Sequence, residues 1–276
     1  MSTHPTLSFQ RFSPPTGTAR TSISPLVILH GLFGSKQNWR SLSKALASKL
    51  GTDVIPVDLR NHGESFHDAR HDFETMAEDV REFLETEGLG KVNLVGHSMG
   101  GKVAMHYALQ DGSRLDKLIV VDMAPAKQRQ TKEFGGYVNV MKKVEAAKVT
   151  SKDQADKIME EDVKDLSIRQ FLLTNLRRTP GDPHMTFRIN LPALEESLES
   201  LWRFSLAGSG KTHDGPALFI AGTKARYITE ESRPVIKEFF PRAVVVDVDA
   251  GHWVHAEKPE EFLRLVTAFL TDSVEK

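Results

Sequence analysis

The stretch Val95-Gly96-His97-Ser98-Met99-Gly100-Gly101 constrains the fold of this chain more than any other. The run before it, Lys91 to Val95, is short, apolar and partly β-branched, as a buried strand requires. The run after it, Lys102 to Leu109, carries Val103, Ala104 and Tyr107 at helical spacing. The chain must therefore turn from strand to helix within very few residues. Such a turn forces its central residue into a strained backbone conformation, and flanking glycines let the neighbouring backbone approach without a clashing Cβ. Bare G-x-S-x-G matches are common in loops. The strand-turn-helix context marks this one as a nucleophile elbow, with the Ser98 hydroxyl at a strand tip and a backbone N–H of the following helix beside it.

The rest of the chain repeats this rhythm. Residues 7 to 12 alternate and suit an edge strand, broken by Pro14, Pro15 and Gly17. Pro25 to His30 is a compact apolar strand ending in the loop His30-Gly31-Leu32-Phe33-Gly34-Ser35. Ser35 suits the start of a helix from about Lys36 to Leu50, with Trp39, Leu42 and Leu46 on one face. Val54 to Asp58 is the next strand, and a helix from about Phe73 to Glu87 follows with Met76, Val80 and Phe83 as its stripe. The elbow comes next, then a strand from Lys117 to Val121 that ends at Asp122. Strands alternating with helices imply a mostly parallel α/β sheet with helices on both faces, and the ligand site lies beyond the carboxyl ends of the strands. His30, Asp58, Ser98 and Asp122 all fall at such ends.

From about Ala124 to Thr212 the pattern changes to charged helical segments: Val138 to Val149, Ser151 to Lys164, Leu166 to Leu176 and Leu191 to Phe204. Pro180-Gly181-Asp182-Pro183 reads as a turn and Gly208-Ser209-Gly210 as the exit. We read 124–212 as a helical cap inserted into a core made of 1–123 and 213–276. In the core's second part, Ala217 to Ala221 and Ala243 to Val248 are strands, and Glu230 to Phe240 and Glu257 to Leu270 are helices.

Composition narrows the chemistry. The chain has 276 residues, enough for a large α/β domain, and a net charge of -1, which gives no electrostatic basis for nucleic-acid binding. With 0 Cys, a disulfide framework, a thiolate metal site and a cysteine nucleophile are all excluded. No apolar run approaches the roughly 20 residues that span a bilayer, and no His/Asp/Glu spacing matches a metal motif. No cofactor is expected. The region before Asp53 has Arg and Lys but no acidic residue, a weak transit-peptide signal set against its strand and helix patterns.

A serine nucleophile needs a base, and the base a carboxylate. Among 11 histidines, His252 in Asp249-Ala250-Gly251-His252 occupies the loop beyond the last strand; His255 is the local competitor and suits packing or capping. The loop after the Ala217–Ala221 strand holds no acid, and Ala225 stands where one is expected. Asp122, at the strand tip before the cap, is the assigned acid, with Asp247 and Asp249 as runners-up. The oxyanion donors are assigned to Met99 N–H and Leu32 N–H, with Phe33 N–H next. His30, Asp58, Arg60 and His62 are read as bracing the loop beneath the site.

Taken together, His30-Gly31-Leu32-Phe33-Gly34-Ser35, Asp58-Leu59-Arg60-Asn61-His62-Gly63, Gly96-His97-Ser98-Met99-Gly100-Gly101 and Gly251-His252-Trp253 resemble the α/β-hydrolase superfamily. Within it they look like the branch holding bacterial acyl-CoA esterases, mitochondrial abhydrolase-domain esterases and yeast ethanol acetyltransferases. The resemblance runs from about residue 7 to 272. That branch carries its acid before the cap in a Val-Asp-x-Ala-Pro context, which Val121-Asp122-Met123-Ala124-Pro125 matches, and Arg188-Ile189-Asn190-Leu191 is also like it.

The expected activity is hydrolysis of carboxylic esters or acyl thioesters, acyl-CoA included, through an acyl-enzyme at Ser98. Alternatives are acyl transfer from acyl-CoA to an alcohol, and a non-enzymatic ligand-sensing or partner-stabilising role, since fold alone does not fix function. Phe33, Trp39, Met123, Phe134 and Phe187 are candidates for an acyl pocket, each equally suited to plain packing. Lys127, Arg129 and Lys132 could meet a coenzyme A phosphate, although a solvated charged face is the commoner use of such a cluster. The expected location is intracellular and cytoplasmic; the resemblance adds the mitochondrion.

Overall fold

Short aliphatic runs that must be buried on both faces become the strands of a central sheet. The computed structural model describes residues 6–128 and 133–271. Its strands are β1 (Leu26–Leu29), β2 (Val54–Val57), β3 (Val92–His97), β4 (Leu115–Val121), β7 (Ala217–Gly222) and β8 (Ala243–Val248); between β4 and β7, β5 (Leu176–Arg178) and β6 (Met185–Phe187) form a separate pair. They order as β2-β1-β3-β4-β7-β8, with every neighbouring pair parallel.

Alternation along each strand sends side chains to two separate cores. Val27 and Leu29 join Leu94, Val120 and Phe219 on one face, covered by α2 (Phe73–Thr86), α3 (Met99–Gln110) and α8 (Ser232–Phe239). Leu26 and Ile28 join Val95, Ile119 and Ile220 on the other, covered by α1 (Arg40–Leu50) and α10 (Pro259–Leu270). Strand order reverses at β1, which has β2 on one side and β3 on the other. The crevice beyond the carboxyl ends of β1 and β3 is therefore where a ligand site is expected.

Between β4 and β7 run α4 (Glu133–Ala146), α5 (Lys152–Asp162), α6 (Leu166–Leu173) and α7 (Leu191–Leu201). They build an apolar cluster of their own around Val138, Met141, Leu172 and Leu194. Asn190 starts α7 by accepting from Ala193 N, and Asp165 starts α6 by accepting from Ser167 N and Ile168 N.

Three details differ from the sequence reading. Residues 7 to 12 form two isolated antiparallel bridges, Phe9 to Val57 and Phe12 to Val54, rather than a strand. The cap holds a two-stranded hairpin of β5 (Leu176–Arg178) and β6 (Met185–Phe187), joined through the Pro180–Pro183 turn. A short extra helix, α9 (Val254–Glu257), precedes the expected final helix, and Pro259, which has no N–H to give, opens α10.

Candidate active site

The elbow is as tight as its sequence demands. Ser98 has φ 53° and ψ −117°, a costly conformation for a residue with a side chain. Gly96 and Gly100 permit it: a Cβ on Gly96 would lie 2.2 Å from the Gly100 carbonyl oxygen, and one on Gly100 would lie 2.5 Å from His30 O. The turn presents the Ser98 hydroxyl at the tip of β3, mostly buried.

Two other loops meet it. The Ser98 hydroxyl lies 2.9 Å from His252 Nε2, and His252 Nδ1–H donates to Asp122 Oδ2 at 2.7 Å. Asp122 follows β4 with φ 48°, is wholly buried, and accepts at Oδ1 from Gly222 N–H at 3.0 Å. Burial disfavours both charged forms: it pushes the Asp122 carboxyl up and the His252 imidazole down. His252 is thus held neutral, with Nε2 free to accept a proton. The runner-up acids sit elsewhere, Asp247 on Arg233 at 2.7 Å and Asp249 on Lys224 at 3.0 Å. His255 is buried and stacks on Trp39 at 4.2 Å.

The loop after β1 supplies the facing amides. Phe33, at φ 61°, donates its N–H to His62 Nε2 at 3.1 Å, so that amide is already engaged. Leu32 N–H is left as the candidate donor of this loop. Met99 N–H belongs to the first turn of α3, whose amides have no intrahelical acceptor. Beneath the loop, His30 Nδ1–H donates to Gly31 O and its Nε2 accepts from Leu59 N–H. His62 repeats the pattern with Arg60 O and Phe33 N–H. Burial holds both imidazoles below the usual histidine range, so they brace the loop as neutral groups. Asp58 accepts from Lys36 N–H and Lys36 Nζ, and Arg60 pairs with Asp79. Among the described residues no group of side chains could hold a metal ion, and no helix is long and apolar enough to cross a membrane.

A family model described as alpha/beta hydrolase fold matches residues 24–259. The chain belongs to the alpha/beta hydrolase family. Mouse sn-1-specific diacylglycerol lipase ABHD11 is 39% identical over 90% of this hydrolase and 81% of its own length. A probable alcohol acetyltransferase of Saccharomyces cerevisiae is 37% identical over 95% of this chain and 81% of its own. The solved structure of a marine microorganism esterase superposes with a TM-score of 0.88 at 33% identity, covering 96% of this chain and all of that one. These relatives fall in the abhydrolase-domain esterase branch.

Two chambers of this hydrolase meet at Ser98, each with about 30 Å3 of free space. The first is lined by Phe33, Trp39, His252 and Trp253, the second by Met99, Met123, Leu198 and Tyr227; Leu32, Ser98 and Phe134 border both. Four of the five expected pocket residues, Phe33, Trp39, Met123 and Phe134, therefore face the chambers. Phe187 does not; as the last residue of β6 it points into the apolar cluster of the cap. Lys127 is exposed, and Arg129 and Lys132 lie outside the described residues.

Three contacts at the site escaped the sequence reading. Tyr227, in the loop after β7, stacks on the His252 ring at 3.9 Å between centroids. His97 Nε2–H donates to the His252 carbonyl at 2.9 Å. Asn175 Nδ2–H, just after α6, donates to Phe33 O at 2.7 Å and so holds the loop after β1. None has a periodic signature. The only cue was an aromatic residue in the loop where an acid was sought and not found. The cap stretch Arg188 to Leu191 also has a visible use, since Asn190 N–H and Nδ2–H donate to Asn61 O and Oδ1.

Proposed function

We propose that this chain is a serine hydrolase that cleaves carboxylic esters or acyl thioesters through an acyl-enzyme at Ser98. The observation that carries this reading is the hydrogen-bonded chain from the Ser98 hydroxyl through His252 to Asp122, set in the crevice at the strand reversal. Ser98 Oγ attacks the acyl carbonyl carbon while its proton passes to His252 Nε2. The carbonyl oxygen becomes an oxyanion, bound by the Leu32 and Met99 N–H groups. The intermediate collapses, the bond to the leaving alcohol or thiol breaks, and His252 returns the proton to the leaving atom. Water then repeats the attack with His252 as base, releasing the acid and restoring Ser98. Asp122 keeps the imidazole in the tautomer that leaves Nε2 free and stabilises its protonated form. The core of 1–123 and 213–276 carries these groups in this reading, and the 124–212 cap roofs them.

A serine-reactive fluorophosphonate tests the nucleophile. The wild-type protein should be labelled, and Ser98→Ala should lose the label entirely; undiminished labelling would sink the assignment. A second acceptor is favoured by the likeness to the yeast protein named as an alcohol acetyltransferase. Product analysis with added ethanol separates the two outcomes: free acid marks hydrolysis, and ethyl ester marks transfer to the alcohol.

A further inference from the structure

Ligand pockets of enzymes span roughly 300–1,000 Å3. The two inner chambers, at about 30 Å3 each, surround the reacting atoms but do not house a substrate of any length. The nearest volume of the right size is a surface groove of about 550 Å3 at the seam between the cap and the core. Its cap wall is Ile168 and Phe171 of α6, and its core wall is Trp253 and Ala256. Phe171 and Trp253 also line the first chamber, and their rings lie 6.1 Å apart, centroid to centroid. The groove and the catalytic chamber are thus separated by this one pair of rings, one from each side of the seam.

The chemistry on either side of the pair decides what the groove would take. His252, the group that returns a proton to the leaving atom in the proposed mechanism, lines the first chamber. The second chamber, which His252 does not line, is left for the acyl side in that mechanism, with Met99, Met123 and Leu198 in its wall. The groove therefore continues the leaving-group path. Among the described residues no cationic side chain lines it; its charged residues are Asp165 and Glu257. Both carboxylates accept backbone hydrogen bonds, Asp165 from Ser167 and Ile168, and Glu257 from Gly251. Such a lining gives an anionic leaving group no partner, while its apolar walls suit a hydrocarbon.

We propose that this groove is the outer subsite of the ester site and binds the alkyl chain of an uncharged alcohol leaving group, which reaches Ser98 between Phe171 and Trp253. The proposal rests on Ser98 being the nucleophile. The test measures kcat/KM for ethyl, butyl and octyl acetate, which share one acyl group. In the wild type, octyl acetate should exceed ethyl acetate by tenfold or more. Ile168→Trp, which fills the groove from the cap side, should lower the octyl-to-ethyl ratio at least fivefold. Ala256→Phe, which fills it from the core side, should do the same and carries the test if the first variant fails to fold. Fluorophosphonate labelling of each protein runs alongside. A wild type that labels at Ser98 but shows no dependence on alcohol length overturns the groove and leaves the nucleophile standing, as does a ratio that survives both variants. Absence of labelling in the wild type overturns the nucleophile itself.

Discussion

Asp122 shows how one residue is committed by its surroundings. The carboxylate has two oxygens with different partners: Oδ1 accepts from Gly222 N–H, and Oδ2 accepts from His252 Nδ1–H. Replacement by Asn keeps the size and changes the logic. Gly222 N–H is an obligate donor, so the amide oxygen must face it, and the amide NH2 is turned to His252. The imidazole then has to accept at Nδ1 and carry its proton on Nε2, the wrong tautomer for the base proposed to face Ser98. Asp122→Asn should lower kcat by about 10⁴-fold, the scale of losing the correct tautomer in a serine triad. Circular dichroism and thermal melting should remain near those of the wild type. A variant with near-normal turnover, or one matched by Asp249→Asn, would remove Asp122 from its assigned role. This residue was legible in the sequence because it follows four buried apolar residues, where an unpartnered carboxylate is too costly to keep.

At the scale of elements, the loop after β7 has exchanged one task for another. Its sequence, Thr223-Lys224-Ala225-Arg226-Tyr227, offers no acid, and in the structure it delivers an aromatic face to His252. The loop is tied to the cap entry, because Gln128 Nε2–H donates to Tyr227 O at 3.3 Å. The Tyr227 ring fixes the plane of the imidazole and screens it from water. Tyr227→Phe keeps the ring and should retain kcat within about threefold, whereas Tyr227→Ala should lose about tenfold in kcat, the scale of one aromatic pair. Burial is the main cause that lowers the His252 pKa, so admitting water should raise it. The acid limb of the Tyr227→Ala pH profile should therefore move to higher pH, a shift that simple loss of folded protein does not produce. The strands and long helices of this fold were legible through period and burial, and the strand tips followed from them. The Tyr227 contact was not, because a loop side chain has no period to read. The β5–β6 hairpin was missed for a related reason: each strand has three residues, and the Arg177 and Arg178 pair hides the single buried Leu176. Residues 7 to 12 show the opposite error, an alternating pattern that makes only two bridges.

For the whole molecule, the question is what holds the helices between β4 and β7 on the sheet. Lys102, one helical turn beyond Ser98 in α3, donates from its buried ammonium to Leu201 O, the last residue of α7, and to Arg203 O just beyond that helix. Leu201 O is one of the orphan carbonyls of a helix C-terminus, where a positive charge is favoured. The Phe73 ring lies 5.3 Å from Lys102 Nζ and adds a third favourable contact. Against these stands desolvation, since Lys102 is 1% exposed. Burial wins and pushes its pKa down to about 7 from an ordinary lysine value near 10.5. A lowered lysine pKa means that the unfolded chain binds the proton more tightly than the folded one. Below pH 7 both states are charged, and the cost of burying the ammonium is present in full. Between pH 7 and about 10.4 the unfolded state holds more protons, so stability gained from Lys102 rises with pH across that window. Lys102→Met keeps the length of the chain and removes the titration. The Tm of the wild type, measured relative to that of Lys102→Met, should therefore increase from pH 7 to pH 9.5. A difference that stays flat over this range would mean that the two carbonyls hold the lysine fully charged, and that the link between the elbow helix and the segment after α7 has no pH dependence. The sequence concealed this link, because a lysine next to Gly101 reads as a solvated helix residue until the cap is folded over it.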